Sequence, residues 1–202
     1  VVSGIGNVEH NSILVRYSND FSIWDLESVN HYKDQSDIFF TCHEFSYNKI
    51  AEAYEPYLGL IRQMFHRYCS GTLEEFMEEC DVYKLQRPVF ESYFEKGFCE
   101  RTEQILIDEV EYEQERMRNS IVTMLQKLSE IRPVVIVLNR FQLASKSTMQ
   151  LSNSLLQVKN KNIGIVLGVN DVQSIPEFAH EEWDAICESM DAVSYTHLRA
   201  HE

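Results

Sequence analysis

The chain has 202 residues, of which 44% are hydrophobic, and this is enough for one domain with a sizeable core or for one domain with an insertion. Its formal net charge of -14 argues against nucleic acid as a direct partner, since binding a phosphate backbone needs clustered Lys and Arg side chains. No apolar run approaches the roughly 20 residues that span a bilayer and no signal sequence starts at Val1, so we predict a cytoplasmic protein without a membrane partner.

The first predicted elements are a strand, a turn and a helix. Residues 1–3 are predicted to end a strand whose start lies upstream, and Gly4 follows as a turn. Apolar residues at helical spacing predict a helix from Asn11 or Ser12. This order is typical of a phosphate site, because a glycine loop and a helix amino terminus point backbone N–H groups at one spot.

One strand and several helices are predicted next. Residues 22–32 are predicted to be helical, and residues 38–45 to form the second strand. A further helix starts at about residue 48. Thr72 and Glu75 have the spacing of a capping box, which predicts a short helix that extends to residue 82.

The region before the third strand is rich in aromatic and acidic residues. Residues 89–100 favour no single class of secondary structure, whereas residues 101–131 are predicted to form one long helix or two in series. We interpret the acidic face of this helix as a solvated face, with the binding of a basic partner as the alternative. The aromatic residues either pack the helices on the sheet or dock a neighbouring domain.

The third predicted strand, residues 134–138, is an uninterrupted run of β-branched and aliphatic residues. Such a run is typical of a strand that is covered on both faces of a parallel sheet. Asn139, Arg140 and Gln142 follow at its carboxyl end, where ligands bind in open α/β sheets. The alternative is that these are the ordinary polar loop residues that follow any buried parallel strand.

The rest of the chain is predicted to contain a helix over residues 147–158, a strand over residues 163–169 that is followed by Asn170, and a helix over residues 176–190. Residues 194–202, SYTHLRAHE, have no periodicity. We interpret them as a spurious read-through terminus and set them aside.

Four segments follow one another in the order of a known nucleotide-binding domain. They are VVSGIGNVEHNSIL, DIFFTCHEF with AEAYEPYLGLIRQMF, EQERMRNSIVTMLQKLSEIRPVVIVLNRFQLASKSTMQLSNSLL, and IGIVLGVND. Together they cover nearly all of residues 1–170 and resemble the nucleotide-binding domain of AAA-like and STAND-type P-loop ATPases, which are signalling ATPases of large bacterial regulators. The resemblance implies an α/β fold over residues 1–193, with a P-loop NTPase-like parallel sheet flanked by helices.

The resemblance also implies a topology. A long helical insertion, about residues 48–131, separates the second and third strands. Strand 134–138 is expected between strands 38–42 and 163–169, with residues 1–3 beyond the latter. We expect the domain to be truncated at both ends, with the last strand of the sheet beyond the end of the chain.

The resemblance places the phosphate loop at Gly4 and the residues after it. The family has a glycine, four residues and then Gly-Lys-Ser/Thr. The second glycine lets the backbone approach phosphate, the lysine pairs with phosphate charge and the Ser/Thr hydroxyl binds magnesium. Gly4 matches the first glycine, whereas Glu9, His10 and Asn11 replace the other three and cannot do the same work. Ser12 supplies the hydroxyl only if the loop is one residue longer.

The acidic pair that the family places after its third strand is replaced here by Asn139 and Arg140. Gln142 matches a polar residue that the family often has nearby, and Asn170 matches the polar sensor after the next strand. Because the charges that stabilise a transferring phosphate are missing, the resemblance implies a degenerate, ATPase-like regulatory domain of a larger multidomain signalling protein that does not hydrolyse ATP.

ATP is the one cofactor that the resemblance implies, and it is expected to bind weakly and without magnesium. The backbone amides after Gly4 and Gly6 remain, and Arg140 is available to a phosphate. The expected partners are other domains of the same polypeptide or other proteins.

Two alternative functions stay open. An ATPase with unconventional ligands would show an ATP-dependent rise in melting temperature that substitutions of His10 and Arg140 abolish. A protein-interaction scaffold would respond to a basic partner in a salt-sensitive way and to no nucleotide.

Cysteine and histidine pairs raise the alternative of a zinc site. Cys42-His43 and His66-x-x-Cys69 have the residue types of zinc ligands, but they fall on different predicted elements, so no metal site is predicted. An odd cysteine count at irregular spacing fits reduced thiols. His10 and Ser12 lack the G-x-S-x-G elbow of a hydrolase triad. The five cysteines are Cys42, Cys69, Cys80, Cys99 and Cys187.

Overall fold

The computed structural model describes residues 12–17, 22–25, 27–48, 51, 53–96 and 110–195. The chain divides into two compact units, one made of residues 1–53 and 132–202 and the other of residues 54–131. The α-helices are α1 (Glu27–Lys33), α2 (Glu55–Tyr68), α3 (Leu73–Glu79), α4 (Arg87–Lys96), α5 (Val110–Ile131), α6 (Lys146–Val158) and α7 (His180–Ser189). In the described ranges, no helix is both long and apolar enough to cross a membrane.

The first unit is built on a five-stranded parallel sheet. Its strands are β1 (Ile13–Tyr17), β2 (Phe39–Glu44), β3 (Val134–Asn139), β4 (Ile163–Val169) and β5 (Asp191–Tyr195), in the order β2-β3-β4-β1-β5. The predicted α/β class is confirmed, and so is the place of β3 between β2 and β4. Both β3 and β4 are buried along their whole length, as central strands of a doubly covered sheet are.

The prediction for the first strand is wrong. Residues 13–17 form β1 and not the start of a helix, and β1 pairs in parallel with β4 and β5. Ile13, Val15 and Tyr17 recur every two residues, which is the period of a strand. A helix of this length would also gain few backbone hydrogen bonds for the cost of its nucleation, whereas two ladders fix β1. Residues 1–3, which were predicted to be this strand, lie outside the described residues.

The strand beside β1 lies within the chain and not beyond it. β5 pairs with β1 from Asp191 to Tyr195, so Ser194 and Tyr195, which the sequence interpretation set aside with the tail, belong to the sheet. Residues 196–202 lie outside the described residues. The expectation that the sheet lacks this strand is therefore corrected.

The segments after β1 and β4 pack on opposite faces of β1. Val15 and Tyr17 share a buried cluster with Ile23, from the 3₁₀ turn Ile23–Asp25, and with Val29 of α1. Arg16 points to the other face, because side chains alternate along a strand. There its guanidinium donates to the Cys187 thiol of α7, at 3.6 Å. The segment after β1 therefore covers one face of the sheet, and the segment after β4 covers the other.

Glu182 joins α6 to α7 within the first unit. Its Oε1 accepts a hydrogen bond from Gln150 Nε2 at 2.9 Å and lies 3.3 Å from Lys146 Nζ. Burial alone would raise the pKa of Glu182, but the hydrogen bonds from Gln150 and Lys146 and the charge of Lys146 outweigh it and lower the pKa below its ordinary value. The folded state is therefore stabilised by the ionised form of this carboxyl.

We expect Glu182→Gln to lower the urea midpoint at neutral pH and to lose this effect in acid. Because the pKa of Glu182 is lowered on folding, its stabilisation is full above the unfolded value of about 4.5 and disappears as the pH falls through the folded value. The measurement is the urea midpoint of the wild type and of Glu182→Gln from pH 7 to pH 3. Glu181→Gln, at an exposed position of the same helix, is the control and should show no such change. A Glu182→Gln deficit of equal size at both ends of this pH range would contradict the charge-based account.

The second unit consists of α2 to α5, which confirms the predicted long helix between the second and third strands. The aromatic stretch whose class the sequence left open forms α4 over its described part. Its residues Phe90, Tyr93 and Phe94 are buried, so they contribute to the core of this unit. On α5, Glu115 is exposed, whereas the Glu113 carboxylate accepts from Gln86 Nε2 at 3.2 Å.

The predicted capping box is confirmed at the start of α3. Thr72 Oγ1 accepts from the Glu75 backbone N–H at 3.2 Å, and Glu75 Oε2 accepts from the Thr72 backbone N–H at 2.8 Å. These bonds satisfy two backbone donors that the helix itself leaves unpaired. The helix ends at Glu79, three residues before the predicted end.

We expect Thr72→Ala to destabilise the chain by about 1 kcal/mol, since alanine cannot accept the hydrogen bond from the Glu75 backbone. Thr72→Ser, which keeps the hydroxyl, is the matched control and should stay close to the wild type. Urea unfolding followed by circular dichroism measures both. Equal losses in the two variants would show that the hydroxyl is not what stabilises the start of α3.

Candidate functional site

The candidate site lies at the carboxyl ends of β1, β3 and β4. In open α/β sheets, ligands bind outside the carboxyl ends of the strands at the point where the connections change face. In this sheet the connections change face between β1 and β4, as the packing of Val29 and Cys187 on opposite sides of β1 demonstrates. We call the space at this point, bounded by Tyr17, Asn139 and Gly168, the switch-point crevice.

Tyr17 and Asn139 are joined across this point. Tyr17 ends β1 and is 8% exposed, and Asn139 ends β3 and is 7% exposed. The Tyr17 hydroxyl donates to Asn139 Oδ1 at 2.5 Å, and the backbone of Arg140 also hydrogen-bonds to this hydroxyl. Burial raises the pKa of Tyr17, so the phenol is protonated and able to donate at neutral pH.

Gly168 leaves room for this contact in β4, the strand between β1 and β3. A Cβ atom at position 168 would lie 2.6 Å from Ile23 Cδ1, 2.8 Å from Asn139 Oδ1 and 3.2 Å from Tyr17 Cε1. All three distances are shorter than normal contacts between heavy atoms. The absence of a side chain at Gly168 therefore lets three strands and the 3₁₀ turn meet at one place.

Arg140 turns the chain away from the sheet directly after β3. Its backbone is left-handed, with φ 55° and ψ 44°, which costs a residue other than glycine roughly 1–2 kcal/mol. Its Nε lies 3.3 Å from Glu44 Oε1, and both side chains are partly exposed. An ion pair of this kind contributes about 0–1 kcal/mol, so it orients the two side chains more than it stabilises the fold.

Gln142 and Asn170 form a second polar pair at the same edge of the sheet. Gln142 is completely buried in the 3₁₀ turn Phe141–Leu143, and its Nε2 donates to Asn170 Oδ1. In the described part of the chain, Gln142 Oε1 has no hydrogen-bond partner. The two polar residues that the sequence predicted after the third and fourth strands are thus in contact.

Four of the predicted site residues lie at the carboxyl edge, namely Asn139, Arg140, Gln142 and Asn170. Ser12 does not lie there. It precedes β1, and its hydroxyl accepts from the Ile165 backbone N–H at 3.2 Å. Five residues of β1 separate it from the carboxyl edge, a distance of roughly 16 Å. The remaining members of the predicted phosphate loop, Gly4, Gly6, Glu9, His10 and Asn11, lie outside the described residues.

The assignment of a phosphate loop to the residues before Ser12 required a helix from residue 11 or 12, and the structure has a strand there. The sequence that follows β1, from Ser18 through Ser22, is SNDFS, which has neither the glycine nor the lysine of a phosphate loop. The helix that follows, α1, has only seven residues.

Tyr17, Glu44 and Gly168 are the site residues that the sequence analysis missed. The two-residue period of Ile13, Val15 and Tyr17 was the signal for a strand that ends at Tyr17. Nothing local marks Gly168, because its neighbours at this point come from two other strands and from the 3₁₀ turn.

The residues at the carboxyl ends of β1, β2 and β3 do not fit magnesium. Magnesium is held by carboxylates and phosphates. The Asn139 amide oxygen accepts from Tyr17, Arg140 is a cation, and the carboxylate of Glu44 is paired with that cation. Within the described ranges, no group of three His, Cys, Asp or Glu side chains is arranged to hold a metal ion.

The cysteines are free thiols where the structure describes them, namely Cys42, Cys69, Cys80 and Cys187, and Cys99 lies outside the described residues. Burial raises the pKa of the Cys80 thiol to about 12. This thiol is therefore protonated at neutral pH, whereas zinc binds the thiolate.

No protein-family model, curated protein or solved structure matches the chain. The assignment of a fold therefore depends on the strands and helices themselves. Their parallel order and their crossovers are compatible with a P-loop-like α/β fold.

We expect Gly168→Ala to destabilise the chain by about 1–3 kcal/mol. The Ile23 methyl group can turn aside, but Asn139 Oδ1 is held by the Tyr17 hydroxyl, so the added methyl group breaks that hydrogen bond. Urea unfolding measures the loss.

Gly59→Ala is the matched control. Position 59 lies inside α2, where the added Cβ would be 3.6 Å from the Tyr93 hydroxyl oxygen, an ordinary contact. This variant should gain about 0.4–1 kcal/mol, because alanine has less freedom to lose on folding than glycine. If Gly168→Ala were as stable as Gly59→Ala, the close packing at the switch-point crevice would be refuted.

Proposed function

We propose that this chain is a degenerate nucleotide-binding domain of the AAA-like or STAND type, which acts as a regulatory module of a larger signalling protein and does not hydrolyse ATP. The parallel strand order and the helices between β2 and β3 support the type of domain. The side chains at the carboxyl ends of the strands support the absence of ATP hydrolysis.

The contact between Tyr17 and Asn139 carries this proposal. The family places a magnesium-binding carboxylate where Asn139 ends β3, and a carboxylate that polarises water where Arg140 follows. Here the first position is a neutral amide whose oxygen accepts from a buried phenol. The second is a cation that pairs with Glu44. The Asn139 oxygen and Arg140 Nε thus have partners within the chain, and neither position offers a carboxylate to bind magnesium or to polarise water.

The sequence that follows β1 supports the same conclusion. Phosphoryl transfer needs positive charge and backbone N–H groups around the phosphates. The segment SNDFS that follows Tyr17 provides an aspartate and no lysine or arginine. The sequence at this point therefore lacks the lysine that a phosphate loop requires.

A module without chemistry acts through its contacts. The proposed partners are other domains of the same polypeptide or other proteins, in the cytoplasm. ATP would serve at most as a weak ligand of such a module, without magnesium.

The proposal is tested by measuring phosphate release from ATP and magnesium by the purified 202-residue chain. We expect the wild type, Arg140→Ala and Lys161→Ala to release phosphate at the rate of the protein-free blank. Lys161 is exposed at the amino end of β4, so Lys161→Ala controls for the loss of a positive charge at the opposite edge of the sheet. Phosphate release by the wild type that Arg140→Ala lowers and Lys161→Ala does not would overturn the proposal in favour of an ATPase with unconventional ligands.

The same preparations separate a regulatory domain from a plain interaction scaffold. Polylysine is a simple basic probe for the acidic surface of the chain, whose formal net charge is -14. A rise in melting temperature with polylysine that disappears in salt would favour a scaffold that binds a basic partner.

A further inference from the structure

Tyr17 lies where the topology places a ligand. The connections of the sheet change face between β1 and β4, and in open α/β sheets the ligand occupies the crevice at that point. The side chain of Tyr17 leaves the end of β1, passes Gly168 of β4 and reaches Asn139 of β3. Since neighbouring strands are about 4.8 Å apart, this side chain spans the full width of the crevice between β1 and β3.

The ring is held from several sides. Its hydroxyl donates to Asn139 Oδ1 at 2.5 Å and is bonded by the backbone of Arg140. Ile23 is completely buried and belongs to the same cluster, and its Cδ1 approaches the position that a Cβ of residue 168 would take. The space above Gly168 is therefore filled by the chain's own side chains.

We propose that Tyr17 is an internal occupant of the switch-point crevice and keeps a phosphate-bearing ligand out of it. The inference rests on the proposed function only in taking the excluded ligand to bear a phosphate. It goes beyond the proposed function because it excludes binding at this place as well as hydrolysis. It also assigns the exclusion to one side chain rather than to the missing lysine and acids.

The groups around the Tyr17 oxygen explain why a phosphate is the ligand that this side chain displaces. Arg140 favours negative charge at the position of that oxygen in two ways, through its guanidinium charge and through its backbone hydrogen bond, and Glu44 opposes it. Gly168 presents bare backbone beside it. Once the phenol is removed, the vacated space combines a cation, a freed backbone group and close access to backbone, which are features of anion sites.

The test uses the 202-residue chain with Tyr17→Gly, which removes the whole side chain, and Tyr17→Phe, which keeps the ring and loses the hydroxyl. The probes are pyrophosphate and p-cresol, which has the shape of the missing side chain, with toluene as the analogue without a hydroxyl. Melting temperature is measured for each pair, and pyrophosphate titrations are repeated by calorimetry.

We expect p-cresol to raise the melting temperature of Tyr17→Gly, and toluene to raise it less because it cannot donate to Asn139. Pyrophosphate should raise the melting temperature of Tyr17→Gly by about 2 °C or more, the shift that about 1 kcal/mol of binding gives a chain of this size. Saturating p-cresol should abolish that response, since both molecules need the same space. The wild type and Tyr17→Phe should show no response to pyrophosphate.

Two results would overturn the inference. One is an equal response of the wild type and Tyr17→Gly to pyrophosphate, because the crevice would then be open with Tyr17 in place. The other is a folded Tyr17→Gly that p-cresol stabilises and pyrophosphate does not. If glycine at this position prevents folding, Tyr17→Val replaces it, since a β-branched side chain suits the strand and is too short to reach Asn139.

The failure of this inference is distinguishable from that of the proposed function. Wild-type chain that responds to pyrophosphate as strongly as Tyr17→Gly and releases no phosphate from ATP contradicts the closed crevice and leaves the regulatory domain in place. Wild-type chain that releases phosphate from ATP contradicts the proposed function.

Discussion

The hydrogen bond from Tyr17 to Asn139 is the constraint on which the carboxyl end of the sheet depends. It crosses β4, so it requires a residue without a side chain at Gly168. It is buried, so its loss would leave the Asn139 oxygen unpaired, at a cost of about 1–3 kcal/mol. The left-handed turn at Arg140 brings the backbone back to the same hydroxyl, and the ion pair with Glu44 extends the connection to β2. Four of the five strands are therefore connected at this edge.

A catalytic site holds polar groups in place for the substrate. At this edge of the sheet, most of the polar groups are instead paired with one another. The acceptor on Asn139 has its donor, the cation on Arg140 has its anion, and the amide of Gln142 donates to Asn170. Gln142 Oε1, by contrast, is a buried atom without a hydrogen-bond partner in the described part of the chain. Such mutual satisfaction stabilises one arrangement of the strand ends, and this supports the proposed function.

Much of the fold was predictable because its signals are local. The continuous apolar runs of β3 and β4, and the Thr72 and Glu75 pair, each lie within a few residues, and all three predictions are confirmed. β1 was harder to predict, since the two-residue period of a five-residue segment is a weak signal and its partner strands lie far along the chain. That one error placed the predicted phosphate loop before β1, whereas ligands of open α/β sheets bind at the carboxyl ends of the strands. The contact that defines the site joins residues 122 positions apart, which no local pattern can specify.

The close packing around Gly168 couples the substitutions that three strands can accept. One volume is shared by Tyr17, Asn139 and Gly168, so a larger side chain at one of these positions leaves less space for the other two. Among homologues of this chain, a small residue at position 17 would create space for a larger one at position 168, and an acid at position 139 would need a donor other than the phenol. Sequence drift at these three sites should therefore be correlated, and lineages that keep glycine at 168 should also keep the aromatic ring that covers it.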